Sequence, residues 1–142
     1  EFNIFNTFIT INSVFSYFGI KKINIKLLKI SPHVLDVTLL PKSVTTAIGM
    51  GISEELGGYV TITVAVIVIT GVLGNILAEP ICKLCKIKEP MAIGIAIGSA
   101  SHALGTAKAM ELGEVEGAMS SLSIVVSGIL TVVGASIFAY FL

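Results

Sequence analysis

Polar, chemically able residues crowd one apolar region of this chain: Ser99, Ser101, His102, Thr106 and Lys108 fall between Gly98 and Lys108. An imidazole with a near-neutral reference pKa can carry a proton or hold a ligand by a hydrogen bond. Hydroxyls beside it can donate to a carboxylate. A second stretch, Pro41 to Gly51, offers Lys42, Ser43, Thr45 and Thr46 in the same style. Lipid rejects such segments unless protein or trapped water surrounds them, so an ionisable group there reads as functional by default. The plainer readings are a buried histidine satisfied by Ser99 or Thr106, lysines that snorkel to an interface, and hydroxyls that satisfy their own helix ends. Ser101 and His102 are not a catalytic dyad, because neighbours on a helix do not face each other. No Ser-His-Asp order, phosphate loop or carboxylate pair argues for an enzyme. Cys82 and Cys85 form a CxxC with no second pair or nearby histidine, so neither a metal nor a cofactor is expected. His33, beside Pro32 in a connector, reads as structural or exposed.

The elements that must position these residues are those of a membrane protein. The mean hydropathy is +0.97 and 13% of the 142 residues are charged, against about a quarter in soluble domains. So much apolar surface cannot be buried in a domain of this size and must face lipid. The formal net charge is zero and no basic block stands out, which argues against nucleic acid. The chain opens Glu1-Phe2-Asn3 with no initiator Met and no signal-peptide pattern, and is expected to be a fragment or a processed chain.

Ile4 to Ile20, with Phe15, Tyr17 and Phe18 at its far end and Lys21 and Lys22 behind, reads as a first transmembrane helix. Lys26 and Lys29 follow in a short amphipathic connector, which Ser31-Pro32 breaks. Val34 to Ile52 reads as a broken helix at membrane depth, since Pro41 removes a backbone donor and Ser and Thr behind it can cap a restart. Glu54 and Glu55 make an acidic turn. Tyr59 to Ala78 is uncharged and long enough for a hydrocarbon core of about 30 Å; its Val, Ile and Thr would favour a strand in water, but a lone strand in lipid leaves its backbone unpaired. Lys83, Lys86 and Lys88 form a second basic face. Pro90 to Met110 repeats the mixed pattern, and Gly94 and Gly98 form a GxxxG pair suited to close helix packing. Glu111, Glu114 and Glu116 make a second acidic turn, and Gly117 to Leu142 should span. The fold expected is all-α and polytopic, with about three clear transmembrane helices plus two broken or re-entrant helical elements.

Setting residue n against residue n+56 aligns Ser43 with Ser99, Ala47 with Ala103, Gly49 with Gly105, Glu55 with Glu111, Leu56 with Leu112 and Gly57 with Gly113. One inserted residue later, Thr70-Gly71-Val72-Leu73 lies over Ser127-Gly128-Ile129-Leu130. The repeat units lie near 41–82 and 97–142, each a polar broken element, an acidic turn and an apolar span. Paired interrupted segments point to a transporter-type site, because a broken helix exposes N–H groups that suit a carboxylate and carbonyls that suit a cation. With both basic faces cytoplasmic and both acidic turns outside, the broken elements cross fully and the repeats are parallel. Re-entrant elements would instead make the repeats inverted and put one basic face outside. The charge pattern favours full crossings.

At these residues the sequence resembles the LrgB/CidB family. The likeness rests on Leu39-Leu40-Pro41-Lys42-Ser43-Val44-Thr45-Thr46, on Ile87-Lys88-Glu89-Pro90, on Ser101 to Ala109, and on Gly113-Glu114-Val115-Glu116-Gly117-Ala118. It covers roughly Leu27 to Leu142, the family's C-terminal part. Residues 1–26 then form an N-terminal transmembrane helix and basic connector, and 27–142 an LrgB-like membrane domain. Ala47 stands where the family usually has proline. The resemblance implies antiholin-like control of murein hydrolase activity and lysis, with a small holin-like partner of the LrgA/CidA type or a homo-oligomer in the bilayer. It also implies carriage of small monocarboxylates, of the pyruvate or glycolate type. The location implied is the bacterial cytoplasmic membrane, or the plastid inner envelope in a eukaryote. The expected substrate-binding set is Lys42, Ser43, Thr45, Thr46, Ser99, Ser101, His102 and Thr106, with Gly94 and Gly98 packing helices.

Overall fold

The computed structural model describes residues 32–139. Among them there is no strand. The elements are α1 (Pro32–Leu39), a 3-10 turn (Leu40–Ser43), α2 (Thr46–Glu55), α3 (Val60–Leu84), α4 (Pro90–Leu112) and α5 (Glu114–Ala139). The helices α3 and α5 have 25 and 26 residues, roughly 38 Å at 1.5 Å per residue. Both are long and apolar enough to cross a membrane, and only 17% and 22% of their most apolar windows are buried. The apolar side chains of Ile69, Ile76, Val125 and Ile129 point outward, as a lipid-facing wall requires. The first expected span, Ile4–Ile20, lies outside the described residues.

The polar elements between these spans do not cross; they double back. In α4 a single residue, His102 (φ 44, ψ −132), leaves helical geometry. Beyond it the chain returns along itself. A Cβ on Gly105 would lie 3.0 Å from the Ile97 carbonyl oxygen, whereas eight residues of straight helix span about 12 Å. Ile93 and Leu112 pack on one cluster with Ala78, Ile97 and Ala109. The first element behaves alike. Val44 (φ −125, ψ 178) and Thr45 (φ −63, ψ 149) are extended, and a Cβ on Gly49 would lie 3.2 Å from the Pro41 carbonyl oxygen. Thr63 Oγ1 lies 2.8 Å from both the Thr38 carbonyl and Ser53 Oγ, clamping the two arms to the start of α3. The backbone N–H of Tyr59 donates to Thr38 Oγ1 over 2.9 Å at the same place.

The two hairpins therefore enter from opposite ends of α3. The first has its base beside Tyr59 and Thr63. The second has its base near Glu79, which Lys108 approaches at 3.8 Å. Their tips meet at the middle of α3: Gly49 faces Ile67, while Gly71 and Gly74 face Leu104 and Ser101. The helix α5 starts at the base of the second hairpin, with Glu116 against Gly94, and reaches the first at Gly128, whose Cβ would lie 3.1 Å from Ile48 Cδ1.

Contacts recur under the sequence repeat. Gly49 on Pro41 corresponds to Gly105 on Ile97, and Gly71 on Leu104 corresponds to Gly128 on Ile48. The second pair is exchanged between units, as a two-fold axis across the chain demands. The repeats are inverted and the broken elements re-entrant, which corrects the full-crossing expectation. Acidic residues weigh little in the charge rule, and the second acidic turn is held by lysine: Lys108 Nζ donates to Glu111 over 2.9 Å and lies 3.8 Å from Glu79, to which Lys83 Nζ donates over 2.7 Å. That turn thus shares an end of the molecule with Lys83–Lys88.

Candidate functional site: opposed hairpin tips and the cavity along α5

The tips join through one hydrogen bond. His102 is 4% exposed and its Nε2 lies 3.2 Å from the Lys42 carbonyl oxygen. A carbonyl only accepts, so Nε2 carries the proton. A non-glycine residue at this φ and ψ costs about 1–3 kcal/mol and persists only where its surroundings hold it. They do so through hydroxyls and an amide. Thr106 Oγ1 donates to the His102 carbonyl over 2.9 Å, and Ser120 Oγ, 2.7 Å away, donates in turn to Thr106. From α3, Asn75 Nδ2 donates to the Leu104 carbonyl over 2.7 Å.

Lys42 is 4% exposed, and Nζ donates to Ser43 Oγ over 3.2 Å. Among the described residues the ion pairs join Lys83 and Lys108 to Glu79 and Glu111, and none involves Lys42. A buried ammonium is costly without a counter-charge, so the Lys42–Ser43 corner favours an anion.

A cavity of about 500 Å³ lies beside this corner as a groove open along the flank of α5, where Leu122, Val126 and Leu130 are about half or more exposed. Its hydroxyl groups come from Ser43, Ser99, Ser123, Ser127 and Thr131. Ile95, Met119, Leu122, Val126 and Leu130 supply apolar wall. Ser43 and Ser99, equivalent under the repeat, thus line one space.

The expected site residues fall into separate places. Ser43 and Ser99 reach the cavity, with Lys42 one hydroxyl behind. Ser101 turns to α3, where a Cβ on Gly74 would collide with its Oγ. His102 and Thr106 brace the second tip. Thr45 caps α2 without a side-chain hydrogen bond and Thr46 starts that helix. Side chains at Gly94 and Gly98 would run into Glu116, Ser120 and Ser123 of α5. Ser120, Ser123, Ser127, Thr131 and Asn75 were not anticipated. Ser123, Ser127 and Thr131 recur every four residues along one helical face, a stripe readable within the apolar run. Cys82 is buried, Cys85 exposed, and both are free.

The LrgB-like family model matches residues 4–141. The chain belongs to the LrgB-like family. Among its LrgB-like relatives, a holin-like protein CidB of Staphylococcus epidermidis is 45% identical over 95 residues, covering 67% of this chain and 42% of that protein. A holin-like protein CidB of Staphylococcus aureus is 42% identical over the same shares. An antiholin-like protein LrgB of Bacillus mycoides is 41% identical over 105 residues, 74% of this chain and 46% of that protein. The chain spans less than half the length of these curated relatives. No solved structure matches it.

Proposed function

We propose that this chain is the membrane core of a holin-like or antiholin-like protein that regulates murein hydrolase activity and lysis. The observation that carries this reading is the likeness to proteins named holin-like CidB and antiholin-like LrgB. The location proposed is the bacterial cytoplasmic membrane, with the Lys83–Lys88 end inside by the charge rule. The partner proposed is a small holin-like membrane protein or a second copy. Gly94 and Gly98 are occupied within the chain by α5, so partner contact falls to the outward apolar faces of α3 and α5. The test is complementation of a lysis-control deletion strain by the full-length gene. Autolysis rates that the gene leaves unchanged would refute the regulatory reading.

A second reading has its own observation. Opposed re-entrant hairpins that meet at mid-span, with a buried lysine at the junction, are how a carrier exposes helix ends to an anion. On this reading the chain is a carrier component for small monocarboxylates, and Lys42, Ser43 and Ser99 contact the substrate. His102, Thr106, Thr45, Thr46 and Ser101 shape the tips. Uptake of labelled pyruvate or glycolate into proteoliposomes tests it with full-length protein, and uptake in a Lys42→Met variant equal to wild type would exclude it.

A further inference from the structure

The five cavity hydroxyls are not equivalent, because each owns a single proton. Ser99 Oγ spends its proton on the Ala96 carbonyl at 3.2 Å, and Ser123 Oγ on the Ser120 carbonyl at 2.8 Å. Ser43 Oγ accepts from Lys42 Nζ, which leaves its own proton to donate. Ser127 and Thr131 make no hydrogen bond among the described residues, so their protons are unspent too. Of these donors, Ser127 and Thr131 flank Gly128, where Ile48 of the first hairpin meets α5, and Ser43 belongs to that same hairpin. The spent ones lie toward the start of α5, where Ile95, Met119 and Leu122 line the wall.

From Met119 to Thr131 the cavity follows α5 for about 18 Å. Its volume, about 500 Å³, sits within the rough 300–1,000 Å³ of pockets for drug-sized ligands. A two- or three-carbon acid would leave most of it unfilled. One end offers three hydroxyl protons with an ammonium behind them; the rest offers hydrocarbon.

We propose that this cavity binds an aliphatic carboxylate, with its head on the hydroxyls of Ser43, Ser127 and Thr131 and its chain lying toward Met119. This rests on the carrier reading for an anion at the Lys42–Ser43 corner, but it assigns that site a ligand with an extended apolar body in place of pyruvate or glycolate. Lys42 acts through Ser43: by donating to its oxygen it turns the hydroxyl proton toward the head.

The test is titration of the full-length protein in nanodiscs with butanoate, hexanoate, octanoate, glycolate and 1-octanol, each against empty nanodiscs. Dissociation constants should fall roughly fourfold per added methylene from butanoate to octanoate. Octanoate should bind at least tenfold tighter than 1-octanol, and Lys42→Met should remove that difference. Glycolate binding as tightly as octanoate would overturn the proposal. So would 1-octanol matching octanoate, which marks a groove for lipid chains, or octanoate signals no larger than those of empty nanodiscs. If Lys42→Met does not fold, Ser43→Ala serves in its place, and the wild-type acid-to-alcohol ratio decides in either case. Chain-length-dependent binding without pyruvate or glycolate uptake would end the carrier reading and keep this one. Uptake without chain-length dependence would do the reverse.

Discussion

The two hairpins make the same reversal by different means. The first spreads its turn from Leu40 to Thr45, using Pro41 and two extended residues, Val44 and Thr45. The second concentrates the turn at His102, whose φ of 44 belongs to the left-handed side of backbone space. The second also packs harder on its span: Gly94 and Gly98 stand where the repeat places Thr38 and Lys42 in the first. A distributed turn tolerates side chains such as the Lys42 ammonium at its tip. A concentrated one needs braces, which Thr106, Ser120 and Asn75 provide. The first hairpin has the room for charge, and the second carries the strain.

Four tests, using six substitutions, probe that contrast. The largest effect belongs to Gly98→Leu, whose side chain meets the Ser120 backbone oxygen and Ser123. Overpacking against backbone has no rotamer escape, and a loss of about 3 kcal/mol or more is expected. It should appear as loss of the monodisperse peak in detergent; a variant that elutes and melts like wild type would disprove the tight seam. Next comes the glycine pair inside the hairpins. Gly105→Ala meets the Ser101 Cβ and the Ile97 carbonyl, whereas Gly49→Ala mostly meets the movable tip of Ile67. Stability should fall more for Gly105→Ala, by about 2 kcal/mol against about 1 for Gly49→Ala, read as a larger drop in melting temperature. Equal losses would mean that the arms are equally tight.

His102 supplies the third test. His102→Ala loses the bond to the Lys42 carbonyl and keeps the strained backbone, for a cost of about 1–2 kcal/mol. His102→Gly loses the same bond but relieves the strain, so it should melt above His102→Ala. The reverse order would show that the turn is not strained. The smallest effect is that of Asn75→Leu, which removes the donor to the Leu104 carbonyl at a cost of about 1 kcal/mol. Faster hydrogen exchange in the second hairpin, with the first unchanged, is the measurement that locates it.

The spans were legible because length and apolarity decide them: α3 and α5 needed nothing beyond an uncharged run. Gly49 and Gly105, 56 positions apart in the sequence, each pack near a carbonyl eight residues earlier, at Pro41 and Ile97. The polar composition of Pro90 to Met110 marked a broken element, but its reversal was not legible, because the break falls on a histidine instead of a glycine or proline. Propensity is silent about a turn imposed by packing on two neighbours. Loop charges alone put the second acidic turn on the wrong side, because the lysine that holds it, Lys108, lies inside the same segment and not in a loop. The cavity hydroxyls of α5 were hidden by averaging, since Ser123, Ser127 and Thr131 barely dent the hydropathy of a run rich in Val, Ile and Leu.

One feature of the tip junction bears on how such a protein can change over generations. His102 grips residue 42 by its main-chain oxygen, which every amino acid possesses. The joint between the half-spans is therefore indifferent to the side chain at that position. A descendant can trade the lysine for another group, and with it the charge offered to the cavity, without unfastening the architecture.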